Sequence, residues 1–307
     1  MHKVLITGIT GFLGSHIAES LIQYDIQVIG LKRRTSDIWR CKGFDNQIYW
    51  IDIDDKGNWK HEIVKIAPRV IIHCAWIGVE VTDRDNWAEQ IKNIYFLADL
   101  IEITKSILLS KFIFLGSQAE YGNISGKVSE RVPSCALNAY SSIKLACLGI
   151  TKTFCESNHI NWIWLRVFSV FGEKENENWL IPSVIKKMLT EKEMDFTPAG
   201  QKYAYLYVKD FADIIMRISS CNIRSGVYNI SSKNAQPLRC VIEQIRNIVN
   251  PDFKLNFGAL PYRKDQSMHI EGDILKLTKQ IGKIEFSDFN LALKNTIGYC
   301  LSKQKLV

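Results

Sequence analysis

A chain of 307 residues, 47% of them hydrophobic, can bury a large core as two lobes or one extended domain. Its apolar runs are broken by Lys, Asp or Ser well short of a membrane span, and a first strand from Lys3 leaves no room for a signal peptide, so a cytoplasmic protein without membrane attachment is expected. The net charge of +7 suits phosphate-bearing small molecules but is spread along the chain, which argues against nucleic acid; eight cysteines without a CxxC pair read as reduced thiols, not as a metal site.

Lys3 to Thr7 reads as a short buried strand and Phe12 to Ile22 as an amphipathic helix. Between them lies Thr7-Gly8-Ile9-Thr10-Gly11-Phe12-Leu13-Gly14, with glycines three apart. Gly8 permits the turn, Gly11 lets a pyrophosphate approach the backbone and Gly14 lets the helix pack close on the strand. A dinucleotide is therefore expected here, touched by Gly8, Thr10, Gly11, Phe12, Leu13 and Gly14. Ile26 to Leu31 is the second strand, ending at Lys32-Arg33-Arg34. No acid stands there for a ribose 2′-hydroxyl, and the three cations suit a 2′-phosphate, so NADP is expected with Arg33 as first choice and NAD as the alternative.

Ile48 to Ile53 reads as a third strand whose Asp52 and Ile53 would edge the adenine. Pro68 to Ala75 is nearly all apolar, as in a central parallel strand covered on both faces, and delivers Cys74 and Ala75 to the crevice. His73 at its end is expected to be a packed, hydrogen-bonded residue and not a catalyst. A helix over residues 86–106 carries Asn93, and the strand Lys111 to Ser117 brings a hydroxyl to the same edge. A helix from Ser141 to Ser157 and a strand from Trp162 to Phe168 follow, and alternating strands and helices predict a Rossmann-like doubly wound parallel α/β sheet. Beyond Gly172 the pattern changes. A helix over 182–189, an extended run over 203–208, a helix over 210–219, a strand over 226–230, a helix over 237–250 and a polar basic loop over 260–273 are expected. The division predicted is 1–171 plus about 205–231 for the dinucleotide domain, with about 172–204 and 232–307 as a smaller interwoven substrate lobe.

Tyr140 and Lys144 stand four apart at a helix start, on one helical face. A Tyr that exchanges a proton near neutral pH needs its phenolate stabilised, because its ordinary pKa is about 10, and a neighbouring ammonium does this.

With the glycine loop, Gly116-Ser117-Gln118-Ala119-Glu120-Tyr121-Gly122, the Tyr140 to Lys144 run, Leu165-Arg166-Val167-Phe168-Ser169-Val170-Phe171-Gly172 and Tyr205 to Asp210, the chain resembles the extended short-chain dehydrogenase/reductase family of sugar-nucleotide epimerases, dehydratases and 4-reductases. The resemblance implies Tyr140 as acid or base, Lys144 on the nicotinamide ribose and lowering the Tyr pKa, and Ser117 on the reacting oxygen. It also implies cofactor contacts at Val167 and Ser169, and a homodimer through the helices around 90–106 and 141–157. Dehydratases of this family carry a Glu two residues after the Ser/Thr position, where Ala119 stands here; Glu120 is one place along and, on a strand-like segment, would point to the opposite side. Family members that epimerise C3 and C5 use a Cys just behind the Ser, and no Cys stands there; Cys135 is nearer Tyr140.

The basic end of the second strand favours a reductase using NADPH over a 4-epimerase retaining NAD, and Gly200 to Tyr205 resembles reductases of nucleoside-diphosphate 4-keto-6-deoxyhexoses. The nucleotide-sugar substrate would meet Ser117, Gln118, Trp179 and Tyr203, with Arg263 and Lys202 on its pyrophosphate. A reductase of a non-nucleotide carbonyl remains a second enzymatic reading. A non-catalytic dinucleotide sensor is the reading outside enzymes.

Overall fold

The computed structural model describes residues 3–54, 56–263 and 266–304. The chain runs through β1 (Lys3–Thr7), α1 (Phe12–Gln23), β2 (Gln27–Arg33), β3 (Ile48–Ile53), α2 (Asn58–Ile66), β4 (Val70–His73), α3 (Trp87–Thr104), β5 (Lys111–Ser117), β6 (Gly126–Val128), α4 (Ala139–Ser157) and β7 (Asn161–Val167). It continues as β8 (Val170–Phe171), α5 (Leu180–Thr190), β9 (Glu193–Phe196), β10 (Lys202–Tyr203), β11 (Leu206–Tyr207), α6 (Val208–Ser220) and β12 (Gly226–Ile230). The last elements are β13 (Gln236–Pro237), α7 (Leu238–Val249), β14 (Lys254–Phe257), β15 (His269–Gly272), α8 (Leu275–Ile281) and α9 (Phe289–Gln304).

Seven strands form one parallel sheet in the order β12-β7-β5-β4-β1-β2-β3. Strands buried on both faces explain the unbroken apolar runs of β4, β5 and β7. Alternation sends Ile113, Leu115, Ile163 and Leu165 to the face covered by α1 and α6, while Phe112, Phe114, Trp162 and Trp164 meet α3 and α4 on the other. Chain order reverses between β1 and β4, so the loops after these strands splay apart and open a crevice at their C-terminal ends.

A third cluster joins α5, α7 and α9 through Val184, Ile185, Val241, Ile242, Leu293 and Ile297. A four-stranded sheet in the order β13-β10-β15-β6 stands beside it, and two parallel pairs, β11 with β8 and β14 with β9, complete the strands. Residues 232–307 serve both parts of the molecule, because Ile274, Leu277 and Ile284 pack beneath the main sheet. Among the described residues no helix is long and apolar enough to cross a membrane. All eight cysteines are free.

Three sequence expectations change. The predicted loop over 260–273 contains β15, which pairs with both β6 and β10; Lys264 and Asp265 lie outside the described residues. The run 203–208 is broken into β10 and β11, because Ala204 bonds to Ile270 in one sheet and Leu206 to Ser169 in another. The helix bearing Tyr140 starts at Ala139, since the Asn138 side chain accepts from Ser141 N and closes a capping box.

Candidate active site

Gly8 follows β1 with φ +67°, and a Cβ there would fall 2.6 Å from Ala75 N. A Cβ on Gly14 would sit 2.3 Å from Gly8 O, so strand and helix can meet this closely only with hydrogen at that position. Gly11 caps α1 with extended backbone and no side chain over the first N–H groups. Thr10, Phe12 and Leu13 complete this turn. Open N–H groups at a helix start, beside backbone packed too tightly for any Cβ, fit a pyrophosphate.

Across the crevice, Cys74 N donates to Thr7 O and Ala75 N to Thr7 Oγ1. The Thr7 hydroxyl also meets His73 Nδ1 at 2.7 Å. Burial pushes the His73 imidazole down to about 3, so it is neutral and structural as expected, although its partner is a side chain. Burial holds the Cys74 thiol up at about 12, which leaves it inert.

The three cations at the end of β2 separate by environment. Lys32 forms an ion pair with Asp52, its register partner on β3, so both residues expected at the cofactor are already matched to each other. Arg33 and Arg34 are exposed and make no ion pair among the described residues. Ile53 ends β3 beside Arg33. Sequence reasoning missed Arg40, whose guanidinium donates to Thr10 O in the glycine loop and to Lys174 O, and nothing in its local sequence signals that reach.

Ser117 ends β5, Tyr140 lies in the first turn of α4 and Lys144 one turn further along. Tyr140 and Lys144 are 8% and 4% exposed, so both groups are held out of bulk water. Lys144 Nζ donates to Leu115 O at 2.7 Å and lies 3.6 Å from the Trp76 ring centre and 5.7 Å from that of Tyr140. Burial lowers Lys144 to about 8, with Glu120 opposing. The expected lowering of the Tyr140 pKa is not found: burial raises it, and the Ser117 hydroxyl and Arg84 pull back only part of the way. Arg84 lies 5.1 Å over the Tyr140 ring. Trp76 and Arg84 come from the loop between β4 and α3, which Asn93 pins by accepting from Ile77 N and donating to Ile77 O.

Glu120 is also corrected. Residues Gln118–Tyr121 form a 3-10 turn, not a strand, and the turn drives the Glu120 carboxylate inward to an ion pair with Arg166 at 2.8 Å. Gln118 and Ala119 are left on the partly exposed side. Cys135 is exposed, its N–H donating to Glu120 O.

Val167 and Ser169, expected at the cofactor, flank the end of β7, and Trp179, expected at the substrate, caps α5 at 36% exposure. Tyr203 accepts from Gln266 Nε2 at 2.7 Å; burial raises its pKa, with that hydrogen bond and the positive charge of Arg263 opposing. Strand alternation sends Lys202 to the other face of β10, so Arg263 rather than Lys202 keeps company with Tyr203.

Residues 4–231 match the model of the NAD dependent epimerase/dehydratase family. The chain is 28% identical over 293 residues to CDP-abequose synthase of Salmonella muenchen, covering 93% of this chain and 94% of that one. It is 27% identical to an uncharacterized UDP-glucose epimerase of Bacillus subtilis, covering 83% and 85%. Its fold is shared with UDP-glucuronic acid 4-epimerase from Bacillus cereus, solved with UDP-glucuronic acid and NAD, at a TM-score of 0.86, 23% identity and 98% and 99% coverage.

Proposed function

The chain belongs to the NAD dependent epimerase/dehydratase family, a group of sugar-nucleotide enzymes, and we propose that it reduces the 4-keto group of a CDP- or dTDP-linked 4-keto-6-deoxyhexose with NADPH, in the cytoplasm, for surface polysaccharide. The observation that carries this choice is the charge at the end of β2: Arg33 and Arg34 are exposed, and Asp52, the acid opposite on β3, is taken by Lys32. Similarity over most of the chain to a synthase of a CDP-linked sugar supports the same reading. Ala119 offers no carboxylate for moving protons at the sugar, which disfavours dehydration.

In this reading the glycine loop and the start of α1 hold the pyrophosphate, Arg33 the 2′-phosphate, and Lys144 the nicotinamide ribose. When bound, the dinucleotide supplies the hydride. Ser117 and Tyr140 polarise the carbonyl oxygen, and Tyr140 gives it a proton. A raised Tyr140 pKa serves this direction, because a donor must be protonated at working pH. Arg263 and Tyr203 meet the substrate's pyrophosphate end, with Gln118 and Trp179 along the sugar and base.

A second reading, an NAD-retaining 4-epimerase, is favoured by the UDP-glucose epimerase relative and by the NAD-bound 4-epimerase that shares the fold. The two part on one assay. NADPH oxidation is followed with CDP- and dTDP-4-keto-6-deoxyglucose, with NADH and Tyr140→Phe as controls. Oxidation that falls at least ~100-fold in the variant supports the reductase. No oxidation with either cofactor, together with NAD released on denaturation, moves the assignment to the epimerase.

A further inference from the structure

Glu120 has no part in the steps above, yet its carboxylate is wholly enclosed. Oε1 accepts from the backbone N–H of Ser117 at 2.8 Å, and Oε2 from Arg166 Nε at 2.8 Å; Trp164 Nε1 lies 3.0 Å from both oxygens. The Ser117 hydroxyl accepts in turn from Ala119 N at 3.1 Å, so the 3-10 turn is closed from both ends. Arg166 is fixed by Ser134 Oγ at 2.5 Å and by the Tyr121 ring 4.1 Å away. The packing leaves no slack, since a Cβ on Gly116 would fall 2.2 Å from Trp164 Nε1 and 2.5 Å from Glu120 Oε1.

A buried ion pair adds little net stability over an apolar filling of the same volume. Its place directly beneath Ser117 therefore asks for another role. Tyr140 is faced by Ser117 from β5, by Arg84 and the edge of Trp76 from the loop before α3, and by Lys144 from its own helix. The Glu120 carboxylate, 2.8 Å from the backbone N–H of the residue that faces the Tyr140 phenol, raises both Tyr140 and Lys144 by its negative charge.

We propose that Glu120 is a positioning residue: its reach fixes the Ser117 hydroxyl against the Tyr140 phenol, and its negative charge, partly offset by Arg166, tunes that phenol. The proposal rests on the catalytic roles given to Ser117 and Tyr140. Charge and reach are separable. Glu120→Gln removes the charge at constant size, and Glu120→Asp keeps the charge but withdraws it from Ser117 N.

The test combines kinetics with the 13Cζ resonance of Tyr140 in 13C-tyrosine-labelled full-length protein, assigned by its loss in Tyr140→Phe. Glu120→Gln should titrate Tyr140 at lower pH than the unsubstituted protein, because a charge that opposes the phenolate is gone and Arg166 remains. Glu120→Asp keeps the charge but withdraws the Ser117 hydroxyl that lowers the phenol, so Tyr140 should titrate no lower than in the unsubstituted protein, while kcat falls roughly 100-fold with KM unchanged, as for a catalytic group displaced by about 1 Å. An unmoved or upward titration in Glu120→Gln would overturn the role of the charge. Wild-type kcat in Glu120→Asp would overturn the role of the reach, and this arm stands even if the Gln variant fails to fold. The resonance needs no substrate, so a protein inactive on 4-keto sugars still tests the charge and separates its failure from that of the reductase reading.

Discussion

Lys32 and Asp52 are register partners on β2 and β3, joined by an ion pair at the edge of the crevice where the adenosine end of a dinucleotide would lie. With Lys32 paired, the reductase reading assigns discrimination between cofactors to Arg33. A charge-assisted hydrogen bond contributes about 1.5–3 kcal/mol, and 1.4 kcal/mol is tenfold. Arg33→Ala should therefore cut kcat/KM for NADPH by roughly 10- to 100-fold and leave that for NADH unchanged. Asp52→Ala should release Lys32 and move preference further toward NADPH. Equal losses with both cofactors in Arg33→Ala would show that Arg33 does not read the 2′-phosphate.

Lys144 supplies a pH dependence. Burial places its pKa at about 8, well below an ordinary lysine, so the ammonium that should hold the nicotinamide ribose is lost as pH rises through that value. NADPH affinity, followed by protein fluorescence, is expected to be constant below this pH and to weaken above it. Lys144→Met should bind weakly throughout, without that limb. A wild-type curve flat to pH 10 would contradict the assignment.

Two glycines on helices should respond in opposite directions to the same methyl group. Gly14→Ala drives a Cβ against Gly8 O at 2.3 Å, and overpacking of this kind costs about 1–3 kcal/mol. Gly149 in α4 has nothing within 4 Å of its Cβ position, so Gly149→Ala should gain about 0.5–1 kcal/mol. Urea midpoints measure both, and dinucleotide binding should be lost only in Gly14→Ala.

Trp87, Ile91 and Tyr95 repeat every fourth residue along α3 and are 54%, 38% and 68% exposed, an apolar stripe on the helix expected to pair two copies. Ile150 on α4 is exposed as well. Trp87→Glu with Tyr95→Glu should turn a dimer into a monomer in light scattering at micromolar concentration while NADPH binding persists. A monomeric unsubstituted protein would end the dimer proposal.

Much of the dinucleotide half was legible because its signals are local. The strand–glycine–helix order of residues 3–23, the unbroken apolar strands and the four-residue spacing of Tyr140 and Lys144 each follow from neighbours in sequence, and β3, β5 and β12 fall within the expected bounds. The second half was harder to read. β10, β11 and β15 are two to four residues long and exist through pairing with distant strands, which leaves no periodicity to detect.

By itself the sequence determined the doubly wound sheet, the glycine turn and the pairing of Tyr140 with Lys144 on one helix, because spacing within one strand or one helix fixes which side chains share a face. Only the tertiary structure decided what each charge is for. Lys32 is neutralised by a residue twenty positions away, Arg40 reaches the glycine loop, Glu120 turns inward to Arg166, and Tyr140 is raised by burial rather than lowered by Lys144. Desolvation and ion pairing depend on which groups the fold brings within a few ångströms, and that information is not carried by position along the chain.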